Sequence, residues 1–355
     1  MIYKDDRFHC AFPSLVRRAD GEMLCAFRRA PSRKKLYGAS HDLHTDPNSY
    51  LAMVRSTDNG DSWTSEPVEF FAHTFGGSQD PCLLQLSDQS ILCASYGWAL
   101  VSSLFLETTS ASVSNNNRFS FMGGWLLRST DGGHSWSRPI VPPSLPYDTS
   151  KEVFGTSCPM FNRGAMLERK DGTLLWAVVR HDDAPKRTSV HLARSNDKGN
   201  TWQYVTPIAT DPQIIFNETS LVELASGTIA AFVRTGKMGG RGVLALSTDG
   251  GKSFGPWKDL GFVGEPYQAI RLKDDRILVV YGYRQKPTGV RARVMAADLS
   301  DALTAPEFII REDGGAIDLG YPWALQLPDG NVFVAYYLNI ADGPRHIAAS
   351  LLSIK

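Results

Sequence analysis

Six times along the chain a short turn of the form Asp-Gly, or a close variant of it, runs straight into a stretch of alternating or continuous apolar residues. The segments read RRADGEMLCAF around Asp20, QLSDQSILCAS around Asp88, ERKDGTLLWAV around Asp171, ELASGTIAAFV around Ser226, RLKDDRILVVY around Asp274 and QLPDGNVFVAY around Asp329. Asp and Gly tolerate the positive φ angles that tight hairpins demand, so each segment predicts a β-hairpin closed by a two-residue turn. No long segment with the 3.6-residue period of an amphipathic helix competes with this reading. Six hairpins separated by blade-sized intervals bury their apolar faces only by stacking on one another. The expected fold is therefore all-β, a six-bladed β-propeller forming one domain over residues 1–355.

A second phrase follows the hairpin in each of the first four repeats: RSTDNGDSW from Arg55, RSTDGGHSW from Arg128, RSNDKGNTW from Arg194 and LSTDGGKSF from Leu246. It falls between the third and fourth strands of a blade. There its Asp and Ser can hydrogen-bond the turn backbone, its Gly can supply the bend, and its aromatic can tuck beneath the hairpin. Asp58, Asp131, Asp197 and Asp249 are accordingly read as structural.

Charge excludes some partners. Lys+Arg and Asp+Glu both number 37, so no global field points to nucleic acid or to a membrane surface. No apolar run approaches the roughly 20 residues of a membrane span, and the start MIYKDDRFHCAF lacks the pattern of a secretory leader. A cytoplasmic location is expected. Cys10, Cys25, Cys82, Cys93 and Cys158 show no CxxC spacing and read as reduced core thiols. His41 and His44 lie in a polar loop without a third obvious ligand, so neither a metal nor another cofactor is expected.

Counting back from each hairpin turn reaches the start of a blade's first strand, which lines the central channel. Phe12, Asp80, Arg163, Glu218, Pro266 and Tyr321 occupy those six positions. Counting forward reaches the end of the second strand at the same mouth, with Arg28, Tyr96, Arg180, Arg234, Arg284 and Tyr337. One end of the channel thus gathers Arg, Glu, Asp and Tyr.

Four such phrases, known as Asp boxes, in a six-repeat β chain resemble the sialidase (neuraminidase) superfamily over nearly the whole sequence. The resemblance implies a propeller with the boxes at its rim, away from the site. It also implies roles for particular residues. Tyr321 in LGYPWAL resembles the family nucleophile, Glu218 in FNETSLVEL its carboxylate partner, and Arg234 in AAFVRT a member of a three-Arg carboxylate clamp. Asp46 in HTDPNSYLAMV resembles the acid/base, with Asp42 as fallback. Arg291 in TGVRARV is the better match for a second clamp residue, with Arg284 and Arg293 open. The family's first clamp Arg is missing: AFPSL places Ala11 there, and Arg28, Arg29 or His9 is left to replace it.

These residues imply a retaining exo-glycosidase that releases a terminal acidic sugar, sialic acid or a relative, from a glycan or glycoconjugate, with Asp80 and Arg163 among the substrate-binding residues. An anomeric carbon bearing a carboxylate repels an anionic nucleophile, whereas a neutral phenol can approach and be deprotonated during attack. A non-catalytic carbohydrate-binding propeller and a lyase acting on acidic polysaccharide are the alternatives.

Overall fold

The computed structural model describes residues 1–101, 119–182 and 187–354. Six antiparallel sheets succeed one another along the chain. Blade one contains β1 (Phe8–Arg17), β2 (Met23–Pro31), β3 (Tyr50–Ser56) and β4 (Val68–Phe71), with a short helix α1 (Arg33–Tyr37) between β2 and β3. Blade two contains β5 (Gly77–Gln85), β6 (Ile91–Leu100) and β7 (Phe119–Ser129). Blade three contains β8 (Leu167–Glu168), β9 (Leu174–His181), β10 (Thr188–Ser195) and β11 (Gln203–Ala209). Blade four contains β12 (Ile215–Glu223), β13 (Ile229–Gly236), β14 (Arg241–Ser247) and β15 (Lys258–Val263). Blade five contains β16 (Tyr267–Arg271), β17 (Ile277–Tyr283), β18 (Gly289–Met295) and β19 (Glu307–Arg311), and blade six β20 (Gly320–Gln326), β21 (Val332–Leu338) and β22 (His346–Leu352).

Each expected hairpin joins the first two strands of its blade, but the turn differs from the two-residue form. The residue before the Asp by two accepts from the residue after it, as Gly21 N to Arg18 O at 3.0 Å and Gly330 N to Leu327 O at 3.1 Å. Only the residue after the Asp takes a positive φ, from 69° at Asp275 to 95° at Gly21. The turn is thus a four-residue bend followed by a left-handed residue. The Asp contributes its carboxylate, not an unusual backbone. Asp20, Asp88, Asp171, Asp274 and Asp329 each accept from the backbone N–H two residues on at 3.0 to 3.2 Å, and Ser226 does the same with its hydroxyl at 3.3 Å. This explains why Ser substitutes for Asp in the fourth repeat.

The Asp boxes share one network. In the third, the Ser195 hydroxyl donates to Asp197 at 2.7 Å while accepting from Gly199 N, and Asp197 accepts from Thr201 N at 2.9 Å. Trp202 is buried against Trp176 and its indole donates to Gly199 O at 3.1 Å. Equivalent bonds recur around Asp58, Asp131 and Asp249. All four carboxyls are held below the ordinary Asp range, Asp58 at about 2, chiefly by hydrogen bonds from the box itself, which at Asp197 outweigh the opposing effect of burial.

The core lies between blades: Leu175, Ala177 and Leu192 of blade three pack with Ala231, Val233 and Val243 of blade four in one cluster. All five cysteines are buried free thiols. The ring closes at the N-terminus. Tyr3 bridges Ile347 of β22, with Ile2 N and Tyr3 N both donating to Ile347 O at 3.0 Å, so the chain start supplies the outer edge of blade six. Among the described residues no helix is long and apolar enough to cross a membrane.

Two outcomes follow for stability. Asp197→Ala should destabilise the protein by about 1–3 kcal/mol in denaturant titration while the folded fraction keeps its site. Because the box carboxyls titrate lower folded than unfolded, their contribution is full above pH ~4 and is lost as pH falls toward about 2, which an acid titration of melting temperature reads directly.

Candidate active site at the channel mouth

Four of the first strands carry a bulge at the same height. Pairing with the second strand shifts between Ala11 and Ser14, Gln79 and Cys82, Phe216 and Thr219, and Gly320 and Trp323. A bulge re-aims the side chain it holds. In three of them that residue adopts a positive φ, 60° at Phe12, 40° at Asp80 and 45° at Tyr321. Each is followed by proline (Pro13, Pro81 and Pro322), which offers no N–H to the ladder. A non-Gly residue in this region costs on the order of 1–3 kcal/mol, so three such positions require compensation.

Arg163 supplies it. Its buried guanidinium donates from Nη2 to Pro13 O at 2.8 Å and to Tyr321 O at 3.3 Å, and from Nη1 to Pro81 O at 3.1 Å. One cation therefore ties the bulges of blades one, two and six across the channel axis.

Above this staple lies the polar cluster. Tyr321 Oη donates to Glu218 Oε1 at 2.6 Å. Arg234 Nη1 donates to both Glu218 oxygens at 3.0 and 2.9 Å and reaches Tyr321 Oη at 3.3 Å. Its Nη2 donates to Glu265 at 2.8 Å, and Arg284 Nη1 meets the same Glu265 oxygen at 3.5 Å. Arg284 also lies over the Tyr321 ring at 5.4 Å, and its Nε and Nη2 are buried without a hydrogen-bond partner among the described residues. Those two donors form the side of a guanidinium that binds a planar carboxylate in two parallel bonds. Burial and the neighbouring Glu218 push the Tyr321 phenol well up. Burial also pushes the Glu218 carboxyl up, but Arg234, the Tyr321 hydroxyl and Arg284 outweigh it and hold Glu218 below its ordinary range. The pair is a neutral phenol on an ionised carboxylate.

Two further groups flank the pair. Asp80 accepts from Tyr96 Oη at 2.6 Å, its other oxygen is buried without a partner, and burial pushes its carboxyl up. On the opposite side Phe12 contacts Tyr321, Tyr337 and His44 edge-on, with ring centroids at 4.8, 5.1 and 5.1 Å. His44 Nδ1 lies 2.9 Å from Asp318 Oδ1, which also accepts from Tyr337 Oη at 2.6 Å, while Arg345 pairs with Asp318 Oδ2 at 3.1 Å.

A family model described as the BNR repeat-like domain matches residues 102–334. The chain belongs to this BNR repeat-like family, within the sialidase-like superfamily. A sialidase of Micromonospora viridifaciens is 25% identical over 252 residues, which is 69% of this chain but 35% of that protein, so the chain spans about a third of that relative's length. A crystal structure of a protein of unknown function from Dyadobacter fermentans is 48% identical, with a TM-score of 0.96 over 100% of this chain and 97% of that one. The Hadza microbial sialidase Hz136 shares the fold, with a TM-score of 0.67 at 18% identity over 97% of this chain and 66% of that one.

This BNR propeller brings Tyr321, Glu218, Arg234, Arg284 and Asp80 together at the mouth, and it places five other expected residues elsewhere. Among the described residues no contact joins Asp46 to the Tyr321–Glu218 pair. Both Asp46 oxygens are taken by Arg33, Nε at 2.8 Å and Nη2 at 2.9 Å, and Oδ1 also accepts from Asn48 N. Asp42 caps the turn into α1 through Lys34 N and Ser32 Oγ. Arg291 projects outward from β18 to pair with Glu307 of β19, one strand too far from the axis, so Arg284 takes its place. Arg28 is fully buried and donates to the carbonyls of Leu43 and His44 and to Gln79, holding the loop and not facing the mouth. Arg163 binds carbonyls beneath the ring in place of substrate. Ala11 is itself fully buried, opposite Arg28 on β2, and Phe12 fills the wall beside Tyr321.

Three site residues escaped the sequence reading. Glu265 stands at the fifth ring position that was assigned to its neighbour Pro266; the X-Pro step shared with Phe12, Asp80 and Tyr321 marks it. Asp318 and His44 lie in loops, where strand counting gives no position. If Arg163 is a staple, Arg163→Met should lower unfolding free energy by about 3 kcal/mol or more, since a buried charged donor to three carbonyls is lost. An unchanged melting curve with weakened ligand binding would instead make Arg163 a substrate contact.

Proposed function

We propose that the protein is a retaining glycosidase that releases a terminal acidic sugar from a glycan. The 2.6 Å hydrogen bond from Tyr321 to Glu218 carries this reading, because it joins a neutral nucleophile to the base that activates it. Tyr321 attacks the anomeric carbon and its proton passes to Glu218. In the free enzyme that transfer is uphill, since the phenol is raised and the carboxyl lowered. It becomes favourable only as the new bond drains charge from the oxygen, with Arg234 Nη1 beside it. The phenol therefore stays protonated until substrate is in place.

The open side of Arg284 supports an acidic sugar. Glu265 bridges Arg234 Nη2 and Arg284 Nη1, so a substrate carboxylate on the open side of Arg284 lies beside a like charge that opposes it. One observation favours the second reading, a non-catalytic carbohydrate-binding propeller: Phe12 and the buried Ala11 leave the first clamp position without a cation.

Tyr321→Phe should lower kcat on aryl glycosides of sugar acids by at least ~100-fold, while full activity in this variant would retire the Tyr mechanism. Glu265→Gln should lower KM for acidic glycosides by roughly tenfold, one charge-assisted bond's worth, and leave KM for neutral glycosides unchanged. Equal effects on both classes would show that Glu265 only positions Arg234.

A further inference from the structure

The reading above leaves the leaving group without a proton donor, because Arg33 holds Asp46. We propose that His44, oriented by Asp318, is the general acid/base of this site. The proposal rests on the Tyr321–Glu218 glycosidase reading.

Position is the first argument. His44 and Tyr321 lie against the same ring, Phe12, at 5.1 and 4.8 Å between centroids. Asp80, next to the nucleophile, feels the charges of both Glu218 and His44. Orientation is the second. Asp318 is held ionised: burial raises its carboxyl, but His44 and Arg345 bring it well below the ordinary range. An ionised carboxylate at 2.9 Å accepts from Nδ1, so Nδ1 carries a proton and Nε2 is the nitrogen left for exchange. His44 is half-exposed, side chain 49%, whereas Asp318 is 23% exposed and His9 behind it is buried, its Nε2 4.0 Å from Asp318 Oδ2 and without a hydrogen bond among the described residues. Burial and the charges of Arg28 and Arg345 keep His9 neutral, so it does not compete for the proton.

A place for the departing group is the third. Arg345, paired with Asp318, also lines a polar cavity of about 420 Å³ bounded by Lys34, Lys35, His41, Asp42 and Asn339. Arg345 thus joins the His44–Asp318 pair to a polar cavity fit for a hydroxyl-rich acceptor.

The proton count closes. In the first step the Tyr321 oxygen bonds the anomeric carbon, its proton goes to Glu218, the glycosidic C–O bond breaks, and the departing oxygen takes the Nε2 proton of imidazolium His44. In the second, neutral Nε2 takes a proton from water, the water oxygen bonds the anomeric carbon, the C–O bond to Tyr321 breaks, and the phenolate recovers its proton from Glu218. The groups around His44 are Asp318, Asp80, Tyr337, His9, Arg28 and Arg345, and Asp318 is its hydrogen-bonded anion.

The test compares the nitrophenyl and phenyl glycosides of one sugar acid in the full-length protein. His44→Ala should keep kcat/KM on the nitrophenyl substrate within about tenfold of wild type, because that phenol leaves unaided, should lose ~100-fold or more of kcat/KM on the phenyl substrate, and should lose kcat on the nitrophenyl substrate because the glycosyl enzyme lacks the base that activates water. Sodium azide should restore that kcat by attacking the glycosyl enzyme, yielding glycosyl azide. Asp318→Asn removes the anionic acceptor that orients the ring, so it should reproduce the leaving-group dependence of His44→Ala, a pattern that a merely structural role would not produce. Equal losses on both substrates without azide rescue, or no loss on either, would overturn the dyad while leaving Tyr321 and Glu218 in place. Wild-type protein inert toward every sugar-acid glycoside would overturn the glycosidase reading and the dyad with it.

Discussion

Everything at the mouth depends on one buried cation beneath it. Bulges in the first strands turn Phe12, Asp80 and Tyr321 toward the channel, and each bulge leaves a carbonyl that the ladder cannot satisfy. Arg163 collects those carbonyls from three blades at once. Its guanidinium spreads its donors over separate nitrogens in a plane, so a single side chain reaches carbonyls of three blades, a fixed fork that the compact ammonium of a lysine does not offer. The strained backbone that aims Tyr321 is thereby held by a contact with backbone carbonyls beneath the polar cluster.

The second constraint is electrostatic. Arg234 and Arg284 face Glu218 and Glu265, two positive and two negative groups in one small volume. The proposed mechanism asks for a neutral nucleophile here, and the raised phenol of Tyr321 is neutral. It also asks for an ionised Glu218 to receive the proton, and Arg234 holds that carboxyl below its ordinary range. Glu265 acts as an internal counter-ion that keeps the arginine pair positioned before an anionic ligand arrives. The two polar groups that flank the pair differ in kind, Asp80 in a dry pocket with Tyr96 and His44 near solvent with Asp318.

The architecture was legible because the repeat is a backbone signal: each hairpin needs a turn acceptor and a left-handed residue, and both leave a mark in the sequence. Strand positions followed by counting, which is why Tyr321, Glu218, Arg234, Arg284 and Asp80 come together as expected. The turn type was misjudged because Asp-Gly also suits a longer bend in which the Asp acts through its side chain. Loop and partner choices were not legible. Arg33 and Arg291 lie outside the first two strands of their blades, and nothing in a linear pattern says which carboxylate each will face. Arg163 and Arg28 occupied counted positions yet point at carbonyls, because a buried guanidinium seeks acceptors and the bulges provide them.

The central claim is that Tyr321 becomes covalently attached to the sugar, and the direct measurement is mass-spectrometric mapping of the protein after exposure to a fluorinated sugar-acid inactivator that traps the glycosyl enzyme. The account predicts a single adduct on the peptide containing Tyr321, abolished in Glu218→Gln, where the base that takes the phenolic proton is gone. An adduct on another residue, or turnover of sugar-acid glycosides with inversion at the anomeric carbon, would contradict it.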